Sequence, residues 1–256
     1  MALLMKIINL TPDSFRPESR AKAEDLPGLL HGADIYDLGA VSTRPGAERV
    51  SAEVEWERLR PALEALKTLR NSNDCVCCGM SGSNDSSNSN SNSNSNEHRH
   101  PWPAISIDTA RASIVRKAYA LIGPFIVNDV SGAEDPEMLT VVRELGLRYV
   151  AMHHRGTPKT MDSMCDYPGG VVQEVVEFFR GFERKVAGID WILDPGFGFA
   201  KTDEQNLELL ENLATFKQFG RPILVGISHK RFTRGRSEQL EALAVENSAD
   251  IIRKHL

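Results

Sequence analysis

Three polar residues stand at the ends of short apolar runs: Asp108 after Ala104–Ile107, Asn128 after Phe125–Val127, and Asp194 after Trp191–Leu193. Carboxylates and amide oxygens are natural partners of a flat heterocycle that carries N–H donors, and the amide NH2 of Asn128 can meet ring acceptors. A second set is cationic, with Arg44, Lys230, Arg253 and His255, residue types suited to phosphate or carboxylate oxygens. A planar, amino-bearing heterocycle with an anionic tail satisfies both sets. The residue types define that ligand class without singling out one reaction.

The elements that must position these groups alternate. Candidate strands run over Lys6–Leu10, Asp34–Leu38, Ala104–Ile107, Phe125–Val127, Tyr149–Met152, Trp191–Leu193, Ile223–Ile227 and Asp250–Ile252. Helical patterns lie between them: near Ala23–Leu30, then Ala52–Leu69, Ala110–Leu121, Pro136–Leu145, Val171–Val186, Glu204–Phe216 and Ser237–Glu246. Short apolar runs alternating with amphipathic stretches predict a parallel sheet covered by helices. Eight strands and seven helices make an α/β fold, a (β/α)8 TIM barrel in one domain over residues 1–256. The chain stops at Leu256, just after the last strand, so the final helix is expected to be absent, with apolar faces exposed at the seam. In such a barrel catalysis is built from residues just past the C-terminal end of each strand. All eight ends here carry polar or ionisable groups, which a purely structural barrel has no reason to repeat.

Composition narrows the classes. The hydrophobic share is 41%, the charged share 25% and the net charge −5, ordinary for a soluble globular chain, with no global basic field for nucleic acid or an anionic membrane. An anionic ligand must therefore be held by a local cluster of cations. No apolar stretch approaches the roughly 20 residues that span a bilayer. Met1–Leu10 carries Lys6 and runs into Thr11-Pro12-Asp13-Ser14, so it reads as a buried strand rather than a leader. Four cysteines in a chain of this length suit a reduced, cytoplasmic setting better than a disulfide framework. Residues 71–100 are mostly Ser, Asn, Asp and Gly, a composition that cannot offset the entropy of ordering, and are expected to form a disordered insert at the face opposite the strand ends. Cys75, Cys77, Cys78, His98 and His100 fit no standard zinc spacing. His153-His154-Arg155 reads as a solvated loop, and Lys201-Thr202 resembles the end of a phosphate loop without its glycine spacing.

The motif set resembles the dihydropteroate synthase family. Asn-x-Thr-Pro-Asp-Ser-Phe at Asn9, Ser-Thr-Arg-Pro-Gly-Ala at Ser42, Ser-Ile-Asp-Thr at Ser106 and Asn-Asp-Val-Ser-Gly at Asn128 occur in order. Arg-Gly-Thr-Pro at Arg155, Asp-Pro-Gly-x-Gly-Phe at Asp194 and Arg-x-His at Arg253 come after them. The match covers the chain from about Lys6 to His255 apart from the insert. The resemblance implies a synthase that joins 4-aminobenzoate to a pterin methyl diphosphate in folate synthesis. It implies a pterin pocket of Asp108, Asn128, Met152, Asp194 and Lys230, with Met152 beside the ring. It implies a diphosphate end formed by Arg253 and His255, with Asn9 holding Mg2+. It implies a surface for 4-aminobenzoate, the site sulfonamides mimic, from Thr43, Arg44, Pro45 and Ser228. Lys230, Arg253, His255 and Asp108 are then expected to carry the chemistry. The partners are small-molecule substrates. The resemblance also implies a homodimer through the late helices, and loss of the last helix would remove part of that interface.

Four positions depart from the family pattern. Gly39-Ala40-Val41 replaces Gly-Gly-Glu, Ser228-His229-Lys230 replaces Ser-Arg-Lys, the stretch after Lys230 is short, and Arg253-Lys254-His255-Leu256 replaces Arg-Val-His-Asp. The alternatives are a truncated paralogue that binds pterin without turnover and a pterin-dependent methyltransferase domain. The Ser-Thr-Arg-Pro-Gly-Ala and Ser-x-Lys motifs argue for the synthase, as does the presence of Asn9, Arg253 and His255 at the diphosphate end.

Overall fold

The computed structural model describes residues 1–11, 23–41, 50–71, 102–156 and 160–255. The strands are β1 Leu3–Asn9, β2 Ile35–Gly39, β3 Ala104–Asp108, β4 Ile126–Asp129, β5 Arg148–Met152, β6 Trp191–Asp194, β7 Leu224–Val225 and β8 Ile251–Lys254. All are parallel, in the order β6-β5-β4-β3-β2-β1-β8-β7, and a bridge from Leu193 to Ile223 joins β6 to β7. Around this barrel lie α1 Leu26–Leu29, α2 Ala52–Asn71, α3 Ala112–Ile122, α4 Met138–Glu144, α5 Val171–Lys185, α6 Asp203–Glu211 and α7 Ser237–Glu246. The TIM barrel expected from the alternation is the fold observed.

Burial explains the strand composition. Every residue of β2, β4 and β6 is buried, as a parallel sheet covered on both faces requires. Helices dock through stripes at helical spacing. On α5 the stripe is Val171, Val175, Val176, Phe179 and Phe182, and Phe179 stacks on Trp191 of β6 with ring centroids 6.1 Å apart. Inside the barrel the two-residue period sets the layers. Met5, Ile35, Ile126, Val150, Ile192, Leu224 and Ile251 form an apolar floor. Two residues further along six of those strands stand Asp37, Asn128, Met152, Asp194, Gly226 and Arg253. The site is therefore the layer directly above the floor.

Several sequence expectations are revised. β7 is only Leu224–Val225, and α1 is a single turn preceded by a 3-10 turn at Ala23–Asp25. The helix expected over Glu204–Phe216 ends at Glu211 and continues as 3-10 turns over Leu213–Phe219. At the seam Ile251 and Ile252 are buried, and Leu3 is the one large apolar side chain of β1 and β8 exposed among the described residues. Leu4 and Ile7 of β1 are half-buried, so the apolar faces expected to stand open there are partly covered. Asn71 closes α2, and the remainder of the Ser/Asn-rich insert lies outside the described residues.

Candidate active site

Lateral register assembles the mouth. Asn9 pairs with Gly39, Gly39 with Asp108 and Asp108 with Asn128, so residues from four strands form one row at the C-terminal end of the barrel. Met152 pairs with Asp194 in the same way. The side-chain oxygens of Asn9 and Asp108 both flank Gly39, within 4.0 Å of the point where a Cβ would stand. Gly226 gives room to the stem of Arg253, whose Cβ and Cδ lie 3.8 and 3.9 Å from the corresponding point.

One guanidinium organises two buried carboxylates. Arg253 Nε donates to Asp37 Oδ2 at 2.7 Å and Nη2 to Asp108 Oδ2 at 2.9 Å. Asn128 Nδ2 donates to the same Asp37 oxygen at 3.0 Å. Burial pushes the Asp108 carboxyl up to about 7, with Arg253 pulling it back and Asp37 adding to the rise. Burial works against the Arg253 charge, but Asp37 and Asp108 outweigh it and its pKa moves up. Among the described residues the buried Asp37 Oδ1 and Ser106 Oγ have no hydrogen-bond partner, which marks two polar atoms beneath the mouth that other groups would satisfy.

Across the mouth Asp194 faces a second cation. Its Oδ1 accepts from Gly196 N at 2.8 Å, which fixes the turn after β6. Burial raises the Asp194 carboxyl, and Lys230 opposes the rise. Lys230 donates to Phe197 O and lies 4.7 Å above the Phe199 ring. Burial lowers its ammonium to about 8, with Asp194 opposing. The turn admits only glycine at position 196. Its φ is +71°, and a Cβ there would stand 1.8 Å from His153 O.

Of the residues singled out from sequence, Asn9, Asp108, Asn128, Met152, Asp194, Ser228, Lys230, Arg253 and His255 lie on or just beyond the strand ends at this mouth. The ring of His255 sits beside that of His229, with centroids 6.0 Å apart, so the residue that stands where the resemblance expects an arginine packs against His255. Thr43, Arg44 and Pro45 lie outside the described residues.

Residues 5–77 and 96–255 match the family of pterin binding enzymes. A dihydropteroate synthase of Synechocystis sp. is 36% identical over 98% of this chain and 84% of its own length. The chain belongs to the dihydropteroate synthase family. The Escherichia coli K12 synthase is 33% identical over 98% of the chain and 86% of its own length. Among solved structures, the Thermus thermophilus synthase in complex with 4-aminobenzoate superposes with a TM-score of 0.75 at 30% identity, covering 99% of this chain and 88% of that one. The Yersinia pestis synthase with a bound sulfonamide drug gives 0.77 at 28% identity, covering 100% and 89%.

The family implies Mg2+, and the donors bear on its fit. Mg2+ prefers hard oxygens and usually takes one or two from protein, completing its shell with water and substrate phosphate. The Asn9 amide oxygen is such a donor. Asp37 and Asp108 are engaged by Arg253, and no group of three or more His, Cys, Asp or Glu among the described residues could hold a metal by itself. Asn9 would therefore supply a protein oxygen, and water and phosphate oxygens would complete the Mg2+ shell.

Sequence reading misses Asp37 and the pair His153–Lys201. Asp37 is a carboxylate inside a run of buried residues, with the same inward parity as Gly39, and that is its available signal. His153, expected in a solvated loop, is buried, and its Nδ1 accepts from Lys201 Nζ at 3.0 Å. Burial holds the imidazole well below its ordinary range, with the Lys201 charge adding to the drop. Thr202 caps α6 in a reciprocal capping box with Gln205 rather than closing a phosphate loop. No described helix is long and apolar enough to cross a membrane.

Proposed function

We propose that this mouth condenses 6-hydroxymethyl-7,8-dihydropterin diphosphate with 4-aminobenzoate to give 7,8-dihydropteroate and diphosphate. One observation carries the reading: two buried carboxyls, Asp108 and Asp194, stand at strand ends of one barrel mouth, each facing a cation, with Asn128 hydrogen-bonded into the Asp108 network. A pterin ring offers amino and ring N–H donors to the carboxylates, and its carbonyl and ring nitrogens accept from Asn128 and Lys230. The complexes of relatives with 4-aminobenzoate and with a sulfonamide support the second substrate.

The bond changes are few. The methylene C–O bond breaks and its electron pair leaves with the diphosphate. The resulting positive charge spreads into the pterin, where Asp108 and Asp194 offset it in a site of low dielectric. The aniline nitrogen lone pair then forms the C–N bond, and the nitrogen loses one proton to solvent. Arg253 supplies positive charge toward the leaving diphosphate, and His255 offers a ring N–H to its oxygens. Asn9 would hold Mg2+, which when bound would neutralise charge on the leaving group. Thr43, Arg44, Pro45 and Ser228 receive the benzoate, and Met152 packs beside the pterin. Binding and orientation, with no protein nucleophile, account for the acceleration.

Diphosphate release from the pterin substrate, with Mg2+ and with or without 4-aminobenzoate, tests this. Release that requires 4-aminobenzoate and falls on the order of a hundredfold in Asp194→Ala and Lys230→Ala is the expected result. Retained pterin binding with no release from the parent protein overturns it.

A further inference from the structure

We propose that Lys201 is a positioning residue of this site, fixing the Pro195–Ala200 turn so that Lys230 meets its carbonyl acceptor and its aromatic platform. The inference rests on the pterin-site reading above. Lys201 is buried, and its Nζ has three acceptors: His153 Nδ1 at 3.0 Å, Gly196 O at 2.9 Å and Phe199 O at 3.0 Å. Three acceptors match the three N–H bonds of an ammonium; burial draws the Lys201 pKa down to about 7, with Asp194 opposing, and these three acceptors hold the protonated form. Burial keeps His153 neutral, and in the tautomer with the proton on Nε2 the Nδ1 lone pair faces Lys201.

Gly196 and Phe199 bracket the groups that Lys230 uses. Phe197 O accepts from Lys230 Nζ, the Phe199 ring lies beneath that nitrogen, and the Lys230 stem crosses Gly198, where a Cβ would come within 2.9 Å of Cδ. The two lysines thus grip one turn, Lys201 from the barrel wall and Lys230 from the mouth. Asn206 of α6 holds the same turn from a third side, accepting from Gly198 N at 2.6 Å. The turn needs such over-determination because Gly196, Gly198 and Ala200 all have positive φ, at +71°, +73° and +47°, and at Ala200 a residue with a Cβ is held in the left-handed region. A residue that only filled space would not require a charge aimed at two carbonyls of one turn.

Affinity for 6-hydroxymethylpterin, measured by calorimetry in the full chain without 4-aminobenzoate, tests the coupling. The set is the parent, Lys201→Met, Lys230→Met and the double variant. If Lys201 acts through Lys230, Lys201→Met weakens binding on the order of tenfold in the parent and less than about threefold in the Lys230→Met background. Equal losses in both backgrounds, or none in the parent, overturn the inference. Should Lys201→Met fail to fold, His153→Phe goes through the same cycle, removing one acceptor while keeping a ring against Phe178 and Tyr167. It is expected to give the same pattern with a smaller loss, and parent-like affinity in His153→Phe overturns the inference equally. Since turnover is not read, a parent that binds pterin but fails to condense it defeats the functional reading alone.

Discussion

Replacing Asp108 by asparagine is expected to stabilise the protein while disabling it. The buried Asp108 carboxyl stands at about 7 in the folded protein, against about 3.9 for an unperturbed aspartate. A carboxyl raised on folding costs stability as the pH rises. The cost is absent below about pH 4, grows as the unfolded chain ionises first, and levels off above about pH 7. Its ceiling, from the separation of the two values, is about 4 kcal/mol. An amide has the shape of the neutral carboxyl and no proton to lose, so it escapes this cost. Arg253 keeps Asp37 as its ion-pair partner in the variant, through a contact of 2.7 Å. With half of the ceiling discounted for water at the mouth, the gain is about 2 kcal/mol at pH 8, or about 4–8 °C in Tm for a domain of this size. Urea unfolding of parent and Asp108→Asn between pH 4 and pH 8 gives the difference directly. The same protein should lose synthase activity on the order of a hundredfold, because the developing positive charge then lacks a carboxylate. A variant less stable than the parent at pH 8, or a difference that does not change with pH, would refute the reasoning.

The same geometry sets two further outcomes. Gly196→Ala forces a Cβ against His153 O at a positive φ, so near-UV circular dichroism and soluble yield should both show loss of the native fold, and a stable, folded Gly196→Ala would contradict the turn described. Lys230 binds as a cation whose pKa is drawn down to about 8, so pterin affinity should fall roughly tenfold per pH unit above that value, while Lys230→Met should be weaker and flat; affinity of the parent that holds constant to pH 9.5 would count against this assignment.

The alternation of apolar runs with amphipathic stretches is enough to read the barrel, because parallel strands buried on both faces and helices with one buried stripe leave different periods in a sequence. The ends of elements are less legible. β7 shrinks to two residues, since strand length is set by pairing with neighbours that a local pattern does not contain. The insert beyond Asn71 and Thr43-Arg44-Pro45 lie outside the described residues, and their readings rest on composition and resemblance alone.

Asp37 shows where local reading stops. Asn128 and Asp194 stand at the ends of their apolar runs and announce themselves, whereas Asp37 sits inside its run, flanked by Tyr36 and Leu38. In isolation a charge at that depth is simply unfavourable. Its partner is Arg253, 216 residues away, and reaches it only because β8 pairs with β1 and β1 with β2 when the barrel closes. Lys201 fails to show for the same reason: its acceptor His153 comes from the end of β5, brought alongside β6 by the register that also pairs Met152 with Asp194. In both cases a charge that the linear pattern makes costly or incidental becomes satisfied once neighbouring strands are in register. Polar residues at the strand ends can be read from types and spacing, while the residues that hold them in place become visible only when the layers of the barrel are assembled.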